Sequence, residues 1–162
     1  MLPLPMQKFD LVGELTIRQI RDGKIIREEV IRNLIVTAGK AGVAGLLIAT
    51  DVTDHFTYLA IGTGTTAPAA GDTTLEAELS AGGMERAVAD TLSRVTTTVT
   101  NDTAQLVIEW TKTSAGTTTV TEAGILNAAA AGDLLARQTF TGIALEQNDK
   151  LSITWKVQVA TS

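Results

Sequence analysis

His55 is the only histidine in the chain, and Asp51 and Asp54 lie just before it. This is the one stretch where an imidazole and carboxylates could share an ion. A single imidazole with two carboxylates falls short of a zinc set. Calcium needs more oxygen ligands at loop spacing than Asp51, Thr53 and Asp54 supply. The expectation is an acidic loop leading into a strand, with no metal bound. Cysteine is absent, which removes thiolate nucleophiles, disulfides and thiolate metal ligands together. No serine occupies a strained Gly-x-Ser-x-Gly elbow. Carboxylates are paired closely at Glu28 with Glu29 and at Glu76 with Glu78, but acids on exposed elements are ordinarily solvated faces. Glycoside cleavage would require two carboxyls held across a cleft. No catalytic, cofactor-binding or metal-binding residue is assigned, and the chain is read as a non-enzyme without a cofactor.

A second candidate is Gly62-Thr63-Gly64-Thr65-Thr66-Ala67, which follows an apolar run and nearly fits a dinucleotide fingerprint. The fingerprint works because its glycines open directly into a helix whose N-terminus faces the pyrophosphate. Here Pro68 and small residues as far as Gly71 intervene, and no Lys-Ser or Lys-Thr follows. A structural loop is expected in place of a phosphate site. Residues 56–79 then read as a strand over 56–61, a long Gly/Thr/Ala/Pro loop, and a short helical turn over 75–79. Asp72, Thr73 or Thr74 would cap that turn. A loop of this length inside a compact domain usually has a job.

The elements that would position these residues follow from composition and pattern. At 162 residues, with 44% hydrophobic and 19% charged side chains, the chain suits one globular domain with a real core. Aromatics are only 4%, which favours tightly packed sheets over a cofactor pocket walled by rings. A formal charge of −5 argues against nucleic-acid binding through a basic surface. The longest apolar run, residues 41–49, is far short of the roughly 20 residues of a spanning helix, so no membrane partner is expected. The apolar start Leu2-Pro3-Leu4-Pro5-Met6 is too short and too proline-rich for a signal-peptide core. It is read as part of an extended arm, residues 1–10, that frays or lies on another subunit; residues 11–162 form the domain. Without disulfides, any staple would come from packing or from partner chains.

Two hairpins stand out. Residues 11–20 and 25–32 flank Asp22-Gly23, a type I′ pair. A plain two-residue loop sets Ile20 against Ile25, Ile17 against Glu28 and Leu15 against Val30, with Leu15, Ile17, Ile26 and Val30 on one face. Residues 91–100 and 103–113 flank Asn101-Asp102, which would set Val95 against Ile108 and Arg94 against Glu109. Residues 150–160 alternate strictly, with Leu151, Ile153, Trp155, Val157 and Val159 on one side. Between the first hairpin and the long loop, Thr37 could cap a helix reaching Ala49. Its stripe would be Val43, Leu46 and Leu47, and Gly39, Gly42 and Gly45 would allow close approach to a sheet. Short strands with turn chemistry between them predict a mainly β domain, a β-sandwich or partly closed barrel with one short packed helix.

Several of these stretches also carry a resemblance. Asn33-Leu-Ile-Val-Thr-Ala-Gly-Lys40, Tyr58-Leu-Ala-Ile-Gly-Thr-Gly-Thr-Thr-Ala-Pro68 and Asp72-Thr-Thr-Leu-Glu-Ala-Glu-Leu79 resemble small β-rich bacteriophage virion structural proteins. So do Thr121-Glu-Ala-Gly-Ile-Leu-Asn127 and Leu135-Ala-Arg-Gln-Thr-Phe140. The similarity spans roughly residues 30–160 and transfers no functional residue. It implies a non-enzymatic virion subunit, made in the host cytoplasm. The first expectation is a capsid decoration (cement) protein, a homotrimer on the exterior of the major capsid lattice. A tail fibre or baseplate adaptor is the alternative. A small hydrolase using residues 62–71 as a lid is the distant third.

Overall fold

The computed structural model describes residues 8–48 and 55–161. The arm's first residues, Leu2 to Met6 included, and Asp51, Thr53 and Asp54 lie outside that range. Nine strands and one helix are present among the described residues. They are β1 (Phe9–Arg21), β2 (Lys24–Ile35), α1 (Thr37–Leu47), β3 (Tyr58–Gly62), β4 (Ala87–Val88), β5 (Thr91–Val95), β6 (Thr103–Thr111), β7 (Thr118–Leu126), β8 (Leu134–Leu145) and β9 (Lys150–Thr161). The strands form one antiparallel sheet in the order β4-β3-β7-β8-β2-β1-β9-β6-β5. The sheet curls into a half-barrel, so the chain is a mainly β domain as its patterning predicts. The domain begins earlier than expected, because Phe9 and Asp10 already pair with Thr161 and Ala160.

The core grows from period-two alternation. Ile17, Ile153 and Ile108 stand in one cross-strand row, and Leu15, Trp155 and Leu106 in the next. All six side chains are buried. The same cluster takes in Leu59 and Ile61 of β3, Val120 and Ile125 of β7, and Ile143 and Leu145 of β8. The curl therefore brings the two halves of the sheet onto one apolar interior. β2 is the hinge between them: it pairs with β1 from Lys24 to Asn33 but meets β8 only at Leu34 and Ile35.

Both hairpins differ in register from a plain two-residue turn. Asp22 and Gly23 have φ of 50° and 73°, and Ile20 does face Ile25. A β-bulge beside Gln19 and Ile20 then moves the pairing, so that Ile17 faces Glu29 and Leu15 faces Ile31. Ile26 and Val30 are exposed in consequence, and Ile31 packs against the core in their place. In the other hairpin, Arg94 faces Ala104 and Val95 faces Thr103. Asn101-Asp102 is not the two-residue turn there. The Asp102 carboxylate accepts the backbone N–H groups of Thr97, Thr98 and Val99, which holds residues 96–102 as a wider loop. Glu109 pairs with Lys150 of β9 instead of Arg94.

Helix α1 ends at Leu47, and Thr37 does not cap it through its side chain; its N–H donates to the Ala70 carbonyl. Only part of the expected stripe packs: Val43 reaches the core, whereas Leu47 is exposed. Two of the helix glycines, Gly39 and Gly42, permit close approach. A Cβ on Gly39 would collide with the Leu135 backbone, and one on Gly42 would lie 2.6 Å from the Phe56 ring. β3 runs over Tyr58–Gly62, two residues further than Phe56 as a start, and the predicted turn over 75–79 is not helical.

Candidate functional site

Residues 63–79 lie on the outer face of β3, β7 and β8, and they have little apolar anchorage of their own. Leu75 is buried there with Val36, Ala60, Leu126 and Leu134. Its side chain sits over Gly124, where a Cβ would come within 2.5 Å of it. Leu79 packs against the main core, and the Thr63 and Leu79 N–H groups bond the Ala77 and Ile61 carbonyls. Most of the remaining ties are polar, and four of them meet on one carboxylate.

Glu122 of β7 is fully buried. Its Oε1 accepts the N–H groups of Gly64 at 3.1 Å and Ala77 at 2.7 Å. Its Oε2 accepts the Glu76 N–H at 3.1 Å and the Arg137 Nε at 2.8 Å. A β-bulge between Val120 and Glu122 makes this possible. Val120 faces the core opposite Ile143, but Glu122 pairs with Thr139, so the extra residues of this irregularity lie on β8, and across it Glu122 leaves the core side. These bonds also account for the missing helical turn, because the Glu76 and Ala77 donors are committed to Glu122.

Arg137 of β8, opposite Gly124, extends the clamp. Nη1 donates to Asp72 at 2.8 Å and Nη2 to Glu76 at 3.5 Å. Burial works against the guanidinium's charge, but the Asp72 and Glu122 carboxylates outweigh it and hold its pKa above the usual value. Asp72 is held below the ordinary carboxylate range by the Ala69 N–H and by Arg137. Glu76 is lowered chiefly by the Thr66 N–H and hydroxyl. Two further bonds close the frame: Thr37 N–H to the Ala70 carbonyl and Thr121 Oγ1 to the Gly64 carbonyl, both 2.8 Å.

The chemistry of this arrangement is structural. All four strong donors around Glu122 are in place, and the carboxylate does not reach solvent. Gly62 and Gly64 fit here for steric reasons, since a Cβ on either would strike the Glu122 side chain at 2.5 Å. Glu78, the other acid of its pair, is bound by Arg86. Glu28 and Glu29 pair with Arg18 and Arg27 respectively. His55 is exposed, and no group of three or more metal-ligating side chains occurs among the described residues. No helix among them is long and apolar enough to cross a membrane.

Sequence reasoning missed both Glu122 and Arg137 as partners. The available signal was an acid inside an apolar strand, Thr121-Glu-Ala-Gly-Ile-Leu126, with an arginine in the next. Besides apolar packing, charged side chains tie down the turns. Lys112, fully buried, donates to the carbonyls of Ser114 and Gly116. Arg86 donates to those of Ala128 and Ala131. Asp149, almost fully buried, binds Arg21 through both oxygens and accepts from Gln19 and the Glu146 N–H.

The Asp149 staple carries a pH dependence. Arg21 above all, then the Glu146 N–H and Gln19, push its carboxyl well below the ordinary range. Its contribution is therefore present above the unfolded value, about 3.9, and is lost as pH falls through the depressed folded value. Asp149→Asn should lower the urea midpoint at pH 7, with the gap to wild type closing as the pH falls below about 4. A gap that stays constant with pH would remove the charge from this account.

No known protein family matches the chain, and no curated protein matches it.

Proposed function

We propose that this chain is a non-enzymatic structural subunit of a bacteriophage virion, a decoration protein that binds the assembled head as a homo-oligomer and stabilises it. One observation carries the reading. Four of the stretches that bear the resemblance, at 58–68, 72–79, 121–127 and 135–140, are far apart in sequence but meet in one unit. β3, β7 and β8 are neighbours in the sheet, and Glu122 and Arg137 join them to the loop. The residues that look alike are thus those that build a fixed loop. Such a loop suits assembly better than it suits a lid, because a lid must open.

A subunit that binds only the assembled shell shifts that shell toward stability by mass action. The net charge of −5 favours a protein partner over nucleic acid. The test is the copy number of the chain in purified particles, by quantitative mass spectrometry against the major capsid protein. Near-stoichiometric abundance is the expected result. A handful of copies per particle would move the chain to a tail fibre or baseplate position. Absence from particles would overturn the virion reading altogether and reopen an enzymatic one.

A further inference from the structure

We propose that the free edge of β5 accepts Leu2–Met6 of a second copy of this chain as an added strand. β5 ends the sheet, so one of its edges meets no strand. The Ala89 N–H donates to the Thr57 carbonyl, which brings the start of β5 beside residues 55–57. Beyond that bond a cavity of about 490 Å³ opens, with Phe56, Leu92 and Leu106 in its lining. Leu92 faces Leu106 across the β5–β6 pair, yet Leu92 is 50% exposed whereas Leu106 is buried. An unpaired edge beside an uncovered apolar side chain is the geometry of strand addition. Ladder bonds hold the guest backbone, and the groove takes every second side chain. Other open edges lack this combination. β4 is two residues long, and the part of β7 beyond β3 has Gly64 of the long loop against it. The seam between β2 and β8 is bridged by side chains: Arg27 bonds the carbonyls of Thr141 and Gly142, and Gln19 that of Ala144.

The sequence Leu2-Pro3-Leu4-Pro5-Met6 has the chemistry of such a guest. In an extended chain, residues two apart present their backbone groups to one edge and their side chains to one face. Leu2, Leu4 and Met6 thus offer N–H and C=O groups to a single edge and apolar side chains to a single face. Pro3 and Pro5 have no N–H, so the opposite edge does not propagate a sheet. Pairing therefore stops at one added strand. Reach decides which copy supplies it. A strand added to β5 lies four strand spacings from β1, about 19 Å along the sheet. Met6 is three residues from Phe9, a span of at most about 11 Å. The chain's own segment falls short of its own β5, and the guest comes from another copy.

The test is native mass spectrometry with sedimentation velocity on the purified full chain, over a concentration series. Wild type should form multimers. Leu4→Asp spoils the guest and Leu92→Asp the groove; each should melt like wild type yet associate at least about tenfold more weakly. Mixing the two variants brings an intact Leu2–Met6 segment to an intact β5, so mixed multimers should form that neither variant makes alone. If Leu92→Asp unfolds, hydrogen exchange decides instead. Deleting Leu2–Met6 should then strip protection from edge amides within residues 91–95 and leave those of β6 and β9 unchanged. A monomeric wild type overturns the proposal. So do variants that associate like wild type, a mixture of folded variants without mixed multimers, or β5 amides indifferent to the deletion. No virus particle takes part, so each of these failures leaves the copy-number test of the virion reading untouched.

Discussion

Glu122→Ala is expected to cost about 3–5 kcal/mol, the range for breaking one side of a buried ion pair. The Coulombic attraction alone does not set that size, because desolvating both ions offsets much of it. What decides is the number of groups stranded. Removing the carboxylate leaves three buried or half-buried N–H donors, on Gly64, Glu76 and Ala77, without their acceptor. It also leaves the Arg137 guanidinium buried with one strong partner fewer. Orphaned donors cost about 1–3 kcal/mol each when water cannot replace the acceptor. Relaxation of the loop toward solvent recovers part of that sum, which is why the larger total is not expected.

Urea denaturation would give the loss, and hydrogen exchange would locate it. The amides of Gly64, Glu76 and Ala77 should lose protection before those of β6 and β9. A loss below about 1 kcal/mol with those amides still protected would mean that Leu75 and the backbone bonds hold the loop without Glu122. Replacing Glu122 and Arg137 together by apolar residues should not restore wild-type stability. The three backbone donors would still lack an acceptor, unlike a buried pair that bonds only to itself.

Trp155→Ala should also cost about 3–5 kcal/mol, the range for deleting a large buried ring. Trp155 is fully buried in the middle of β9, between Leu15 of β1 and Leu106 of β6. Its Nε1 donates to Asn33 Oδ1 at 2.8 Å. Gly13 keeps room for that acceptor, because a Cβ there would collide with the Asn33 side chain. The hydrogen bond is the minor part, worth about 1 kcal/mol net, and the rest is lost contact and the cavity left behind. Trp155→Phe should therefore retain much of the stability that Trp155→Ala loses. Equal losses in the two variants would shift the weight from packing to the Asn33 bond, and a near-neutral Trp155→Ala would contradict the burial of the ring.

These two residues mark how far the sequence could be read. Trp155 was legible because β9 alternates without interruption: a period of two needs only local backbone geometry, and burial of one face follows as far as Val157, with Val159 exposed beyond it. The same logic found the β-rich class, the Asp22-Gly23 turn and the close approach of α1 to the sheet. It failed wherever a strand gained a residue or a carboxylate displaced a turn. The bulge beside Gln19 and Ile20 moved Ile26 and Val30 out of the core. Asp102 widened a turn that dipeptide chemistry would have closed, and so separated Arg94 from Glu109.

By itself the sequence determined the class of fold, the faces of its unbroken strands and the presence of a long uncharged loop, because each depends on neighbours along the chain. Tertiary structure alone decided that Glu122 and Arg137 meet, that Asp72 and Glu76 join them, and that the loop is fixed. Those contacts link β7 and β8 to residues 46 to 65 positions earlier in the chain. Their alignment depends on a bulge whose register is set by pairing with a neighbouring strand, which periodicity within one strand cannot encode.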